Sequence, residues 1–171
     1  MERCTFGACA FGRQQVQGDG PLPARVLLIG EAPGRFELVE GRPFVGRAGK
    51  LLDELLGEAG LHRQDIRVTN RCGCVDMGRE DRRPLPAELD ACWPRLNAEI
   101  TLCDPKVIVL IGNTALAVGF PSFRIGEVYG AVRAFNGRLW VASYHPAASL
   151  RSGRHLDAVI LDALKLARRL A

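Results

Sequence analysis

The chain has 171 residues, of which 47% are hydrophobic and 25% are charged, a balance typical of a globular protein with a buried core. This composition argues against a disordered chain and a membrane protein, and the length predicts a single domain over residues 1–171. The net charge of +4 permits binding to nucleic acid without requiring it. No apolar run follows the first residues, so we expect no secretory signal and a cytoplasmic location.

Short apolar runs predict four buried β-strands, at residues 25–30, 66–70, 106–112 and 139–144. Apolar residues at helical spacing predict three helices, at residues 48–59, 86–102 and 155–170. Strands that alternate with helices are typical of right-handed crossovers between parallel strands. The pattern therefore predicts an α/β protein with three layers, α/β/α, around a central four-stranded parallel sheet.

Polar residues stand at the ends of these predicted strands. Glu31 follows the first strand, Asn70 ends the second, Asn113 follows the third, and His145 follows the fourth. Ligands of parallel sheets bind beyond the carboxyl ends of the strands. We therefore expect a carboxylate, an amide and an imidazole to meet at one edge of the sheet.

The six cysteines predict a metal site more than a disulfide framework, because a reducing compartment disfavours disulfides. Cys103 directly precedes a predicted strand and is expected to be a small buried apolar residue. The cysteine pairs, Cys4 with Cys9 and Cys72 with Cys74, are the better candidate ligands of a site that would tie the N-terminal arm to the body.

Two motifs flank the chain's central region. Residues 30–49 read GEAPGRFELVEGRPFVGRAG, which has neither the G-x-G-x-x-G nor the P-loop spacing of phosphate-binding loops, and residues 145–151 read HPAASLR. Together with Asn70, these segments resemble the uracil-DNA glycosylase superfamily, and most closely its family 4, whose members carry an iron–sulfur cluster. The resemblance implies a monofunctional hydrolase that removes uracil from DNA and so starts base excision repair.

The resemblance also implies how a flipped-out base would be held. Gly30 and Ala32 would line the base pocket, and Phe44 would stack on the base, although a buried core phenylalanine is the simpler interpretation of Phe44 alone. The amide of Asn70 can donate to O4 and accept from N3–H of uracil, whereas cytosine presents the opposite polarity. His145 would donate a hydrogen bond to O2 as negative charge develops there.

Glu31 is the best candidate for positioning or activating the attacking water, and Glu37 on the same loop is the second. The family 1 glycosylases have an aspartate where this chain has Ala32 and a tyrosine where it has Gly34, and family 4 often has an acidic residue where it has Leu38. The general base therefore cannot be copied from those enzymes. The departures at Ala32 and Leu38 leave open a catalytically inert DNA- or nucleotide-binding module.

Leu150 and Arg151 fit a wedge in the minor groove, in which an apolar side chain replaces the flipped base and an arginine binds phosphate. One branch of the superfamily cross-links itself to DNA through a histidine in a basic insertion. The corresponding residues 75–84 contain no histidine, so we expect no covalent trapping.

The resemblance implies that Cys4, Cys9, Cys74 and Cys92 hold a [4Fe–4S] cluster, with Cys72 as an alternative to Cys74. The spacing of four thiolates also suits zinc, and the resemblance favours iron–sulfur.

The expected partner is uracil-containing DNA, single- or double-stranded, bound by a monomer that does not associate with membranes. A glycosylase for another deaminated base, hypoxanthine or xanthine, is the alternative enzyme of the same fold.

Overall fold

The computed structural model describes residues 15–74 and 83–171, and within these ranges five strands form one sheet in the order β2-β1-β3-β5-β4. The strands are β1 (Val26–Gly30), β2 (Arg67–Asn70), β3 (Val107–Ile111), β4 (Val132–Phe135) and β5 (Arg138–Ser143). Four of them are parallel, and β4 pairs antiparallel with β5 at the edge. The α/β prediction is confirmed, whereas the predicted number of four strands is wrong.

The additional strand, β4, has no apolar run because all four of its residues are exposed. It forms a hairpin with β5 in which Phe135 pairs with Arg138 across the two-residue turn Asn136-Gly137. Both turn residues have positive φ angles, 49° and 71°, as a type I′ hairpin turn requires. The Asn-Gly dipeptide is the sequence signal for this strand, and a search for buried apolar runs does not find it.

Seven α-helices lie in the described ranges: α1 (Arg35–Glu40), α2 (Arg47–Ala59), α3 (Pro86–Cys103), α4 (Asn113–Leu116), α5 (Ile125–Val128), α6 (Pro146–Arg151) and α7 (Asp157–Leu170). The three predicted helices correspond to α2, α3 and α7, with ends that differ by two residues at most. None of the helices in the described ranges is long and apolar enough to cross a lipid bilayer.

The apolar core lies on both faces of the sheet. Val26 and Leu28 of β1 pack with residues of α2 and α7, whereas Leu27 and Ile29 pack on the opposite face with residues of α3. Successive side chains of a strand point to opposite faces, so a continuous apolar run supplies both cores. Burying each such side chain stabilises the fold by about 1.5–3 kcal/mol. The helices thus form outer layers around the sheet.

The carboxyl ends of the parallel strands meet at one edge because the strands run in register. Gly30, the last residue of β1, pairs with Asn70, the last residue of β2. Ile111 of β3 pairs with Ser143 of β5 in the same way. The loops that follow these strands therefore face one another.

Candidate active site

A cavity of about 170 Å³ opens at the carboxyl edge of the sheet. Its volume corresponds to about six water molecules at ~30 Å³ each, which suits one small planar ring. Its walls come from the segment between β1 and α2, from the start of α2, from the last residue of β2 and from the loop after β5. The residues are Ala32, Gly34, Glu37, Phe44, Ala48, Asn70 and His145. We call it the base pocket below.

Close backbone packing places Phe44 in this pocket. A Cβ on Gly30 would lie 2.5 Å from Cζ of Phe44 and 2.5 Å from Oδ1 of Asn70, so only glycine leaves room for both side chains. A Cβ on Gly49 would lie 1.9 Å from the carbonyl oxygen of Phe44. Phe44 itself has a φ of 56°, which is uncommon for a residue other than glycine, so the surrounding packing must stabilise this backbone conformation. Gly30 therefore shapes the pocket without lining it.

Asn70 presents its side-chain amide to the pocket while only 4% of the residue is exposed. Among the described residues, none forms a hydrogen bond with this amide, whereas the backbone carbonyl of Asn70 accepts one from Nη2 of Arg95. An amide buried without a protein partner costs free energy unless a ligand satisfies it. The amide is therefore available to form hydrogen bonds with the edge of a bound ring.

His145 is the N-cap of α6, and its Nδ1 accepts a hydrogen bond of 3.1 Å from the backbone N–H of Ala147. In the neutral ring this leaves the proton on Nε2. Desolvation by burial lowers the pKa of His145 from 6.5 to about 4, against the opposing effect of Glu31. The ring also stacks on Phe44 with centroids 5.6 Å apart. His145 is thus a neutral hydrogen-bond donor at physiological pH.

Glu31 lies beside a larger cleft of about 450 Å³, whose walls also include His145, Asn113 and Arg151. Its Oε2 accepts a hydrogen bond of 2.5 Å from the hydroxyl of Thr114, and the carbonyl of Thr114 accepts one from Arg71. No other described residue donates to the carboxylate of Glu31. Glu31 thus lines the cleft with one carboxylate oxygen that has no donor among the described residues.

Glu37 has a different environment from Glu31. Its Oε2 accepts from the backbone N–H of Gly34 at 3.0 Å, and its Oε1 accepts from those of Val45 and Gly46 at 2.9 and 2.8 Å. A Cβ on Gly34 would lie 2.7 Å from the carboxylate. Three backbone donors thus occupy both oxygens, and the side chain ties together the two ends of the loop.

Leu150 and Arg151 lie on α6, outside the base pocket. Leu150 is partly buried against the core, and Arg151, the last residue of the helix, is exposed. The other two histidines of the chain, His62 and His155, are exposed. Arg151 borders the cleft that contains Glu31 and His145.

Three buried cysteines, Cys72, Cys74 and Cys92, form a cluster whose sulfur atoms all lie within 4.8 Å of one another. The sulfurs of Cys72 and Cys92 are 3.6 Å apart. Hydrogen bonds from the thiols of Cys72, and then of Cys74, lower the pKa of the Cys92 thiol, and thiolate is the form that binds metal. Three buried sulfur atoms this close together fit a soft metal centre.

Two of the predicted ligands, Cys4 and Cys9, lie outside the described residues. Cys74 and its alternative Cys72 both belong to the cluster, so geometry does not choose between them. Cys103 lies apart from it, buried in the core with its thiol donating to the carbonyl of Ala24, as predicted.

A buried ionic network links the cysteine cluster to the pocket, and nothing in the sequence patterns indicated it. Arg95 follows Cys92 by one helical turn and donates to the backbone carbonyl of Asn70 and to Glu99. Glu99 also accepts from Arg67 at 2.9 Å and from Thr69 at 2.8 Å. Arg95 therefore anchors the end of β2 that carries the pocket amide.

The α/β/α fold has a ring-sized pocket at the carboxyl edge of its sheet, and an amide, a neutral imidazole and a carboxylate lie beside that pocket. These features are typical of a protein that binds a small heterocycle. The chain matches the family model described as the uracil DNA glycosylase superfamily over residues 17–165. It therefore belongs to the uracil DNA glycosylase superfamily, as the sequence motifs predicted.

Curated relatives agree with this assignment. A type-4 uracil-DNA glycosylase of Thermotoga maritima is 36% identical over 98% of this chain and 89% of its own length. A type-4 uracil-DNA glycosylase of Archaeoglobus fulgidus is 38% identical over 79% of this chain and 71% of its own length. A type-5 uracil-DNA glycosylase of Thermus thermophilus is 33% identical over 98% of this chain and 85% of its own length.

Proposed function

We propose that the chain is a monofunctional uracil-DNA glycosylase that hydrolyses the N-glycosidic bond of uracil in DNA and so starts base excision repair. The base pocket is the main support for this proposal, because Asn70, Phe44 and the neutral His145 together line a space that suits a single ring. The similarity to curated uracil-DNA glycosylases over most of the chain supports it.

Base selection depends on the amide of Asn70. Its NH₂ group donates to O4 of uracil and its carbonyl accepts from N3–H, while Phe44 packs on the face of the ring. Ala32 completes the wall and Gly30 provides the space behind it. Cytosine would present an amino group to the NH₂ of Asn70 and leave buried groups unpaired, which makes this kind of recognition selective.

Bond cleavage requires that the base leave with the electron pair of the glycosidic bond while the sugar becomes oxocarbenium-like. Nε2–H of His145 donates to O2 of the departing uracil anion, and a well-aimed donor of this kind contributes about 3 kcal/mol to the transition state. Its low pKa, about 4, keeps the imidazole neutral, so it acts by hydrogen bonding without transferring its own proton.

The attacking water is assigned to Glu31 in preference to Glu37. Glu31 has an oxygen directed to the cleft that also contains His145, whereas both oxygens of Glu37 accept backbone hydrogen bonds. The water oxygen bonds to C1′, and its proton passes to the Glu31 carboxylate. Glu37 then acts as a positioning residue for the pocket loop.

DNA contacts outside the pocket are assigned to Leu150 and Arg151. Arg151 is exposed beside the catalytic cleft and binds backbone phosphate. Leu150 is the wedge that replaces the flipped base, which its place on the same turn of α6 supports.

We further propose a [4Fe–4S] cluster with Cys4, Cys9, Cys74 and Cys92 as ligands, with zinc as the less favoured occupant. The buried thiols and the lowered pKa of Cys92 support soft-metal binding at this position. When bound, the cluster would supply structural cross-linking of the N-terminal arm and no step of the hydrolysis.

The activity is tested on single- and double-stranded oligonucleotides that contain one uracil, followed by alkaline cleavage of abasic sites. We expect cleavage at uracil, none at thymine or cytosine, and a loss of about 100-fold in the single-turnover rate for His145→Ala. Oligonucleotides with hypoxanthine or xanthine serve as the comparison. Cleavage at those bases without cleavage at uracil would contradict the proposal, and so would binding without cleavage of any substrate.

The cluster is tested by iron content and visible absorption of the purified protein, compared among Cys72→Ser, Cys74→Ser and the matched control Cys103→Ser. We expect about four irons per chain, which Cys74→Ser reduces and Cys72→Ser and Cys103→Ser leave in place. Stoichiometric zinc without visible absorption would overturn the iron assignment. Loss of iron in Cys72→Ser but not in Cys74→Ser would identify Cys72, and not Cys74, as the ligand.

A further inference from the structure

A second groove, of about 530 Å³, adjoins the base pocket, and the proposed function assigns no ligand to this space as a whole. Residues of α1, the start of α2 and α6 form its walls. It shares Gly34, Glu37 and Ala48 with the base pocket, so the two spaces adjoin. A strand whose base occupies the base pocket would therefore run next to this groove.

Phe36 on α1 is the most exposed aromatic side chain of this region, with 61% of the residue accessible. Its ring lies beside Gly46, where an added Cβ would be 3.5 Å from Cδ2. Leu150 on the opposite wall is partly buried against the core. An exposed aromatic ring in a groove offers a flat apolar face that no described residue covers.

Arg35, Arg47 and Arg151 line the same groove as Phe36, and all three are exposed. None of their guanidinium groups has a hydrogen bond or ion pair with another residue among 15–74 and 83–171. The carboxylate of Glu37 also borders the groove, but backbone N–H groups occupy its oxygens. The groove therefore combines one exposed ring with three guanidinium groups that have no acidic partner there.

We infer that this groove binds the DNA strand next to the flipped uracil, with Phe36 stacked on a neighbouring base and the three arginines on its phosphates. Single-stranded nucleic acids bind to surfaces on which bases stack on aromatic rings and cations follow the backbone. The inference rests on the proposed function, since it takes the uracil-bearing strand as the occupant. It adds a base-stacking residue, Phe36, to which the sequence motifs assigned no role.

The direct test places 2-aminopurine, a fluorescent base, on either side of an abasic site in a single-stranded oligonucleotide. Stacking on Phe36 quenches the fluorescence at one of the two positions when the wild-type protein binds. Phe36→Ala should abolish that quenching and weaken the affinity roughly tenfold or more, and Phe36→Trp should restore both. Val39→Ala is the matched control, because Val39 lies on the same helix, is 78% exposed and does not line the groove.

The salt dependence of binding separates the arginines from the ring. Arg47→Gln should reduce the slope of log affinity against log salt by about 0.7, as expected for one lost phosphate contact on a single strand, whereas Phe36→Ala should leave the slope unchanged. Quenching and affinity that stay at wild-type values in Phe36→Ala would overturn the inference. A change of sedimentation in Phe36→Ala without a change in DNA affinity would instead identify a protein contact, which also overturns it.

The uracil-release rate of the same wild-type preparation separates the two proposals. Release of uracil together with unaltered 2-aminopurine signals in Phe36→Ala would refute the stacking subsite alone. Absence of uracil release by the wild type would refute the proposed function itself.

Discussion

The neutral state of His145 predicts that the stability of the protein depends on pH in a specific window. The informative change is His145→Asn, because the side-chain oxygen of asparagine can still accept the N–H of Ala147 at the N-cap of α6. The variant therefore removes the titrating imidazole while it retains the cap. Other groups titrate equally in both proteins, so the difference between them isolates His145.

The magnitude follows from the pKa of the folded protein, about 4, and the ordinary value of 6.5 in the unfolded chain. Between these values the unfolded chain binds a proton that the folded protein does not, so the free energy of unfolding falls as the pH falls. At about 1.4 kcal/mol for each pH unit, the wild type should lose about 2 kcal/mol relative to His145→Asn between pH 6.5 and 5. The loss would approach about 3 kcal/mol near pH 4.

Urea denaturation of both proteins at a series of pH values between 8 and 5 measures this difference. Above pH 6.5 the difference in the free energy of unfolding should be constant, and below it the wild type should weaken relative to the variant. A difference that stays constant down to pH 5 would refute the assignment of a depressed pKa. A relative gain in wild-type stability would show that the folded protein holds a charged imidazole.

Three other predictions follow from the packing around the pocket. Gly30→Ala should lower the single-turnover rate of uracil release at least tenfold, because the added Cβ would lie 2.5 Å from Phe44 and from Asn70. The control Gly57→Ala should leave the rate unchanged, because a Cβ there has no neighbour within 4 Å. Glu37→Gln should lower the melting temperature and raise KM more than it lowers kcat, because it weakens the hydrogen bonds to the backbone of the pocket loop. An effect on kcat alone would indicate that Glu37, and not Glu31, activates the water. Arg95→Met should cost about 1.5–3 kcal/mol in urea denaturation, because Glu99 loses one charged hydrogen bond and keeps Arg67 and Thr69, and an unchanged free energy of unfolding would contradict the network.

The sequence was sufficient for the parts of the fold that rest on buried apolar periodicity. β1 and β3 are continuous apolar runs covered on both faces, and α2 repeats leucines at helical spacing, so each has a strong local signal. β4 has none, because it is an exposed edge strand whose pairing depends on the Asn136-Gly137 turn. Edge strands of this kind are defined by their turn more than by their own residues.

Some residues of the candidate site were likewise predictable from the sequence, and others were not. The positions after the strands and the two motifs were enough to select Asn70 and His145, since the ends of parallel strands must meet. The sequence ranked Glu31 before Glu37 but could not give the physical reason, because the fold determines which backbone N–H groups occupy the carboxylate of Glu37 and not that of Glu31. Likewise, the anchoring of Asn70 by Arg95 depends on the approach of α3 to β2, which no local pattern encodes.

The most direct test of uracil excision is mass spectrometry of both products from a single-stranded oligonucleotide with one uracil. We expect free uracil and an intact strand that carries one abasic site in equal amounts, with neither product from an otherwise identical thymine oligonucleotide. We also expect His145→Asn to bind the uracil strand with about wild-type affinity but to release uracil about 100-fold more slowly. Binding of the uracil strand by the wild type without any release of uracil would contradict uracil excision by this site, and so would release at a wild-type rate by His145→Asn.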